Sequence, residues 1–365
     1  MGELSRRSLA RLGLAAALQP GFARAADVPV LPAYPAVTPG RALAFPADHG
    51  AHPDYRTEWW YLTGWLRTAQ GGDLGFQATF FRTRPAVDQR NPSAFSARQV
   101  IFAHAALSDP RTGRLAHDQR MARAGFGLAQ ARVGDADVRL DGWRLWRTAD
   151  GAFHVHVDGE ALALDLDFAP TQAPLAQGQG GFSRKGPAAA QASYYYSLPH
   201  LKVAGSVRRV GRSAAVTGEA WMDREWSSAI LGGGAVGWDW TGLNLDDGGA
   251  LTAFQVRDGR GRALWVGGSW RDAMGGVVRL APGDVSFQPL RRWRSPRTGA
   301  AYPVEQALAV RTPQGVRRLH LKPLFDDQEL DSRAAGGPVY WEGAVTTAGG
   351  RGYLELTGYV QPLKL

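Results

Sequence analysis

Trp60-Tyr61-Leu62-Thr63-Gly64-Trp65-Leu66, followed by Gly71-Gly72-Asp73-Leu74-Gly75-Phe76-Gln77, returns later in the chain. Its echo is Trp238-Asp239-Trp240-Thr241-Gly242-Leu243-Asn244, then Gly248-Gly249-Ala250-Leu251-Thr252-Ala253-Phe254-Gln255, with the register slipping by one residue. Outward from there, Phe102-Ala103-His104-Ala105-Ala106-Leu107-Ser108-Asp109 matches Trp265-Val266-Gly267-Gly268-Ser269-Trp270-Arg271-Asp272 more weakly. Val203-Ala204-Gly205-Ser206-Val207 and Val216-Thr217-Gly218-Glu219-Ala220 mirror Glu342-Gly343-Ala344-Val345 and Leu356-Thr357-Gly358-Tyr359. Self-similarity is a stronger fold signal than local propensity. It predicts two homologous units, from about Thr57 to Trp221 and from about Val236 to Val360, within domains 45–228 and 229–365. The crossing between them is Trp221-Met222-Asp223-Arg224-Glu225-Trp226-Ser227-Ser228, which packs two acids, a guanidinium and two indoles into eight residues.

From Thr57 onward, short apolar or aromatic runs alternate with Gly, Asp and Pro, and period two dominates. Such runs, with helical periodicity scarce, predict an all-β chain of two tandem antiparallel barrels or sandwiches. His154 and His156 fall on one face of a strand, as exposed histidines. Residues 173–191, rich in Gly, Gln, Ala and Pro, read as a loop without a counterpart in the second half, overhanging the first unit's mouth. Residues 26–44, with four prolines, read as an extended arm.

The first 25 residues read as an export signal: Ser5-Arg6-Arg7-Ser8-Leu9, an apolar Leu12-Gly13-Leu14-Ala15-Ala16-Ala17-Leu18, and a small-residue cleavage site at Ala23-Arg24-Ala25. The paired arginines point to twin-arginine export, with an ordinary Sec signal as the alternative, and to a periplasmic or secreted protein. No later stretch approaches the roughly 20 apolar residues of a membrane span. With no cysteine, thiol nucleophiles, thiolate metal sites and disulfides are excluded together. The formal charge of +9 falls to about +6 without residues 1–25, which hold four arginines and one glutamate. The remaining arginines are scattered among acids, unlike the basic stripe of a nucleic-acid binder. A basic balance leaves room for peripheral contact with an anionic membrane.

Phe45-Pro46-Ala47-Asp48-His49-Gly50-Ala51-His52-Pro53-Asp54-Tyr55-Arg56-Thr57-Glu58-Trp59-Trp60-Tyr61 resembles the opening motif of bacterial carotenoid 1,2-hydratases and AttH-like proteins, often labelled secreted hydrolases. Ser193-Tyr194-Tyr195-Tyr196-Ser197, the octapeptide, Gly237-Trp238-Asp239-Trp240, Ser295-Pro296-Arg297-Thr298-Gly299, Asp326-Asp327-Gln328-Glu329-Leu330 and Tyr340-Trp341-Glu342-Gly343 follow in the same order. The resemblance implies two lipocalin-like units with a pocket near their junction. It also implies relatives that hydrate isoprenoid double bonds. One position departs: the hydratases carry a histidine where this chain has Arg224. A guanidinium stays protonated and is a poor proton donor, so the histidine's acid/base role does not transfer. The downstream Tyr and Asp of the hydratases fall nearest to residues 254–258.

Hydrating a trisubstituted alkene needs a carboxylic acid held protonated, a wall that shields a carbocation, and a water, with no cofactor. Burial against indoles raises a carboxyl's pKa. The expected acids are Asp223 or Glu225, with Glu58 as partner acid or water-orienting base. Trp226, Trp238 and Trp59 are the expected wall, since ring faces stabilise a cation. Arg224, Asp239, Tyr195 and His104 complete the candidate ligand contacts. In an extended segment Asp223 and Glu225 share one face, and Arg224 and Trp226 the other. The alternative is mechanical: Glu225 or Asp223 pairs with Arg224 or Arg56 to lock the units, and the tryptophans are core. His49 and His52, flanked by acids, are weak metal candidates, and a loop closed by hydrogen bonds from His49 and Asp48 is the other reading. No Gly-x-Ser-x-Gly elbow or zincin motif supports a hydrolase. The expected partner is an apolar small molecule or lipid, which is hydrated or, in the alternative, bound unchanged by a non-catalytic carrier or envelope-maintenance protein.

Overall fold

The computed structural model describes residues 29–363; the export signal predicted over residues 1–25 lies outside them. Its strands are β1 (Thr57–Thr68), β2 (Asp73–Thr83), β3 (Val100–Ser108), β4 (Ala116–Arg123), β5 (Ala129–Ala131), β6 (Asp137–Leu140), β7 (Trp143–Arg147) and β8 (Phe153–Asp158). Then come β9 (Leu162–Ala169), β10 (Leu175–Ala176), β11 (Phe182–Arg184), β12 (Ala192–Arg209), β13 (Arg212–Ala229), β14 (Ala235–Leu245), β15 (Ala250–Asp258) and β16 (Ala263–Arg271). The remainder are β17 (Val277–Leu280), β18 (Val285–Arg294), β19 (Ala301–Thr312), β20 (Gly315–Pro323), β21 (Glu329–Asp331), β22 (Val339–Thr347) and β23 (Gly350–Leu356). Two short 3-10 turns are the only helical elements among the described residues, and no helix is long and apolar enough to cross a membrane.

The strands form two sheets. The first runs β4-β3-β2-β1-β13-β12-β9-β8-β7-β6-β5, and the second β17-β16-β15-β14-β23-β22-β20-β19-β18. In each, the two end strands are consecutive in the chain, so one short connection joins the edges of the curled sheet. Gly125 N donates to Ala129 O at 3.0 Å where the chain turns from β4 into β5, and a Pro282–Val285 bridge lies where it turns from β17 into β18. Curling of this kind shields the sheet edges that would otherwise pair with another chain. The orders correspond strand for strand, except that β5 and β6 extend the first sheet.

The ladders revise the register of the repeat. Gly64 faces Ala220, while Gly242 faces Tyr353; Leu201 then faces Ala220, and Ala344 faces Tyr353. Gly218 is therefore the counterpart of Arg351, and Leu356-Thr357-Gly358-Tyr359 runs past the end of β23. Similar letters had matched the correct strand pairs at the wrong height. Residues 173–191 also differ from expectation. They carry β10 and β11, which pair with β12 much as β21 pairs with β22. Arg271 donates to Ala173 O at 2.8 Å and Gln177 Nε2 to Thr252 Oγ1 at 2.8 Å, so the segment fastens the first unit to the second.

Each curled sheet encloses its own apolar core. Trp60, Leu62, Phe76, Phe80, Met222 and Trp226 are among the side chains filling the first, and Leu243, Trp270, Tyr302, Leu321 and Trp341 among those filling the second. A third cluster joins the outer faces of the two sheets through Tyr61, Trp65, Trp221, Trp240, Phe254 and Tyr353. The strands β1 and β13 are thus covered on both faces, and full burial of each large apolar side chain contributes about 1.5–3 kcal/mol. The arm packs against the first unit, with Thr38 N donating to Tyr194 OH at 3.1 Å and Ser228 Oγ to Pro35 O at 2.6 Å.

Candidate functional site

Where the outer faces of the two sheets part, they leave a cavity of about 270 Å³, just below the usual range for small-molecule sites. Its first wall comes from β1, β2, β3 and β13, and its second from β14, β15, β22 and β23. Side chains alternate along a strand, so Trp59 and Tyr61 reach the cavity while Glu58 and Trp60 point into the first core. Adjacent strands set Ser197 beside Asp223, Asp223 beside Tyr61, Tyr61 beside Thr79 and Thr79 beside His104. This row crosses five strands of the first sheet, four of them in the wall.

Three carboxyls in the lining are pushed upward. Burial raises Asp223 to about 7, against hydrogen bonds from Ser197 Oγ at 2.5 Å, Tyr195 OH at 2.5 Å and Trp221 Nε1 at 2.7 Å, which lower it; Glu225 adds to the rise. Oδ1 accepts two of those bonds and Oδ2 one. Burial also raises Glu355 to about 7, opposed by Trp238 Nε1 at 3.1 Å and aided by the charges of Asp223 and Glu225. Glu342 is driven well above the ordinary carboxylate range by burial and by Glu355. It accepts from Tyr61 OH through Oε1, and its Oε2 has no partner among the described residues. Glu225 is paired instead with buried Lys185, 2.9 Å away, whose ammonium sits over the rings of Tyr195 and Phe254. The rest of the wall is largely aromatic: Trp59, Trp238, Trp240, Phe81, Phe102 and Phe254.

At the β3 end, Gln77 Nε2 donates to the Tyr340 hydroxyl at 3.0 Å, and that hydroxyl stands 2.9 Å from His104 Nδ1. Burial lowers His104 to about 3, so the ring is neutral. With the tyrosine proton directed to Nδ1, the imidazole hydrogen is on Nε2. That Nε2, and Gln77 Oε1, have no hydrogen-bond partner among the described residues.

Of the sequence candidates, the structure gathers Asp223, Glu225, Trp59, Trp238 and His104 around the cavity, with Tyr195 directly behind Asp223. It separates them from Glu58, Arg224 and Trp226, which face the first core. Burial pushes Glu58 upward, but the guanidiniums of Arg224 and Arg82 hold it well below the ordinary range, and it bonds to both. Arg224 also lies 3.9 Å over the Trp60 ring, so the departure from the hydratase pattern falls outside the cavity. Trp226 stacks on His52 at 3.8 Å. Asp239 faces the second core, bonded to Arg257 at 2.8 Å and to Tyr359 OH at 2.9 Å. Of residues 254–258, Phe254 and Val256 line the cavity, whereas Asp258 bonds to Arg262.

His49 and His52 belong to a closed loop. His49 Nδ1 is 2.7 Å from Tyr196 OH, and His52 bridges Asp48 at 3.1 Å and Glu58 at 3.3 Å. Arg41 and Ala44 N bond the same Asp48 carboxylate. Among the described residues no group of three or more His, Asp or Glu is placed to hold a metal. His154 and His156 share a face of β8, beside Asp167 at 2.6 Å and Asp165 at 2.8 Å.

Glu342, Glu355, Lys185 and Gln77 are cavity residues that sequence reasoning did not single out. Glu342 had a signal, an acid beside Tyr340-Trp341. Glu355, in Leu354-Glu355-Leu356, has the pattern of a strand residue facing solvent, and only the packing of one unit on the other covers it.

A family model described as AttH-like matches residues 36–359. Among solved structures, one described as an AttH from Nitrosomonas europaea is 52% identical, with TM-score 0.83, covering 89% of this chain and all of that one. Kievitone hydratase from Nectria haematococca superposes with TM-score 0.64 at 16% identity, covering 91% of this chain and 98% of that one. Among curated proteins none matches.

Proposed function

The chain belongs to the AttH-like family, and from that premise we propose that it binds an apolar, isoprenoid-like ligand in the junction cavity and adds water across a carbon–carbon double bond. A hydratase shares its fold. The observation that carries the reading is Asp223: a carboxyl raised to about 7, held by three donors, in a cavity walled by indoles and phenyl rings. A general acid works best with a pKa near the operating pH.

In the step, the Asp223 proton passes to the less substituted alkene carbon and the π pair becomes the new C–H bond. The positive charge left on the tertiary carbon faces Trp59 and Trp238, each worth about 0.5–2 kcal/mol as a cation–π contact. Water supplies the oxygen, and its surplus proton returns to the Asp223 carboxylate. Export, from residues 1–25, would place this activity in the periplasm or outside the cell.

Incubation of terpenoid alkenes with the protein in oxygen-labelled water tests the reading. Mass spectrometry should show one labelled oxygen taken up by the wild type and none with Asp223→Asn. A co-purifying lipid or isoprenoid that stays unmodified after prolonged incubation would favour a carrier instead.

A further inference from the structure

We infer that the junction cavity is built for an elongated apolar ligand carrying a hydroxyl or carbonyl oxygen, held by His104 Nε2 and Gln77 Oε1 at the end remote from Asp223. This rests on the reading that the cavity is the ligand site.

Both side chains are only 1% exposed and both line the cavity. Each has used its other polar atom: His104 Nδ1 meets Tyr340 OH, and Gln77 Nε2 donates to Tyr340 OH and to Thr79 Oγ1 at 3.1 Å. A buried polar atom without a partner is costly, and one in a cavity lining is placed to be completed by a bound molecule. One donor and one acceptor together match a hydroxyl, and the donor alone matches a carbonyl. A pure hydrocarbon would satisfy neither.

The distance follows from the ladder. Asp223 on β13 and His104 on β3 occupy the same row, three strand spacings apart, which is about 14 Å along the sheet at ~4.8 Å per strand. A ligand presenting its alkene to Asp223 and its oxygen to His104 must reach across that span. Trp59 and Phe81 line the cavity on the intervening strands β1 and β2, and Phe102 lines it on β3 beside His104. The same cavity therefore sorts ligands at two points, by a double bond at one end and by an oxygen at the other.

Farnesol and farnesene provide the test: the same C15 skeleton with a trisubstituted alkene at one end, with and without a hydroxyl at the other. Binding is read by quenching of tryptophan fluorescence, independently of turnover. The wild type should bind farnesol about 100-fold more tightly than farnesene, because a site made to hydrogen-bond a hydroxyl rejects the analogue lacking it. Gln77→Leu and His104→Phe, checked for folding by thermal melts, should each bring that ratio toward one, while Asp223→Asn leaves it unchanged. Equal affinity for the two probes in the wild type would overturn this inference and leave the cavity reading standing. Binding of neither probe would overturn both.

Discussion

Glu342 and Glu355 stand directly opposite each other on β22 and β23, with both side chains in the cavity lining. Like charges in that position repel, and both carboxyls titrate above the ordinary range. A group whose pKa is higher in the folded than in the unfolded chain contributes stability that is fully present below its unfolded value and lost as pH rises through its folded value. The protein should therefore melt a few degrees lower at pH 8 than at pH 5 on this account. Glu355→Gln should flatten that decline, as followed by thermal melts across pH.

Asp223→Asn keeps the shape and removes the transferable proton. Turnover of an alkene substrate should fall by about 100-fold or more with ligand binding retained. In the wild type, turnover should fall as pH rises past about 7, because the acid form is the active one; steady-state rates against pH read this directly.

Glu58→Gln leaves Arg82 and Arg224 buried without their carboxylate. Breaking a buried pair in this way costs about 3–5 kcal/mol. Denaturant midpoints should drop sharply, whereas the pH dependence of turnover in the folded fraction should not move. A changed pH profile without loss of stability would contradict the placement of Glu58 outside the chemistry.

A side chain at Gly75 would collide with Ala344 Cβ and Tyr353 OH, each 2.7 Å from a built Cβ. Here β2 packs directly against β22 and β23 of the second unit. Gly75→Val should destabilise the protein by about 1–3 kcal/mol and weaken ligand binding by parting the cavity walls, measured by melts and fluorescence titration.

Much of this was legible in the sequence, and its limits have a physical origin. Period two along the octapeptide separated Asp223 and Glu225 from Arg224 and Trp226, and the strands keep that separation. It did not say which face meets the second unit, because both faces of β13 are covered and both are rich in aromatic residues. Glu58 and Trp226 were assigned to the ligand for this reason, although they serve the first core. The duplication identified the corresponding strands, while Thr-Gly repeats shifted the closing strands by several residues. Glu355 and Lys185 could not be found locally. A carboxyl between two leucines acquires its character only when another sheet covers it, and Lys185 enters through a segment whose composition signals only a loop.

The alternation along β13 has one more consequence. Odd-numbered positions from 221 to 225 face the junction and even-numbered positions from 222 to 226 face the first core, so the two sets are free to evolve separately by point substitution. A single inserted or deleted residue upstream in the strand would exchange them, presenting Arg224 to the ligand and driving Asp223 among the first unit's apolar side chains. Diversification of ligand preference in this architecture should thus proceed by exchanging side chains at alternate positions, with the length of the strand held constant.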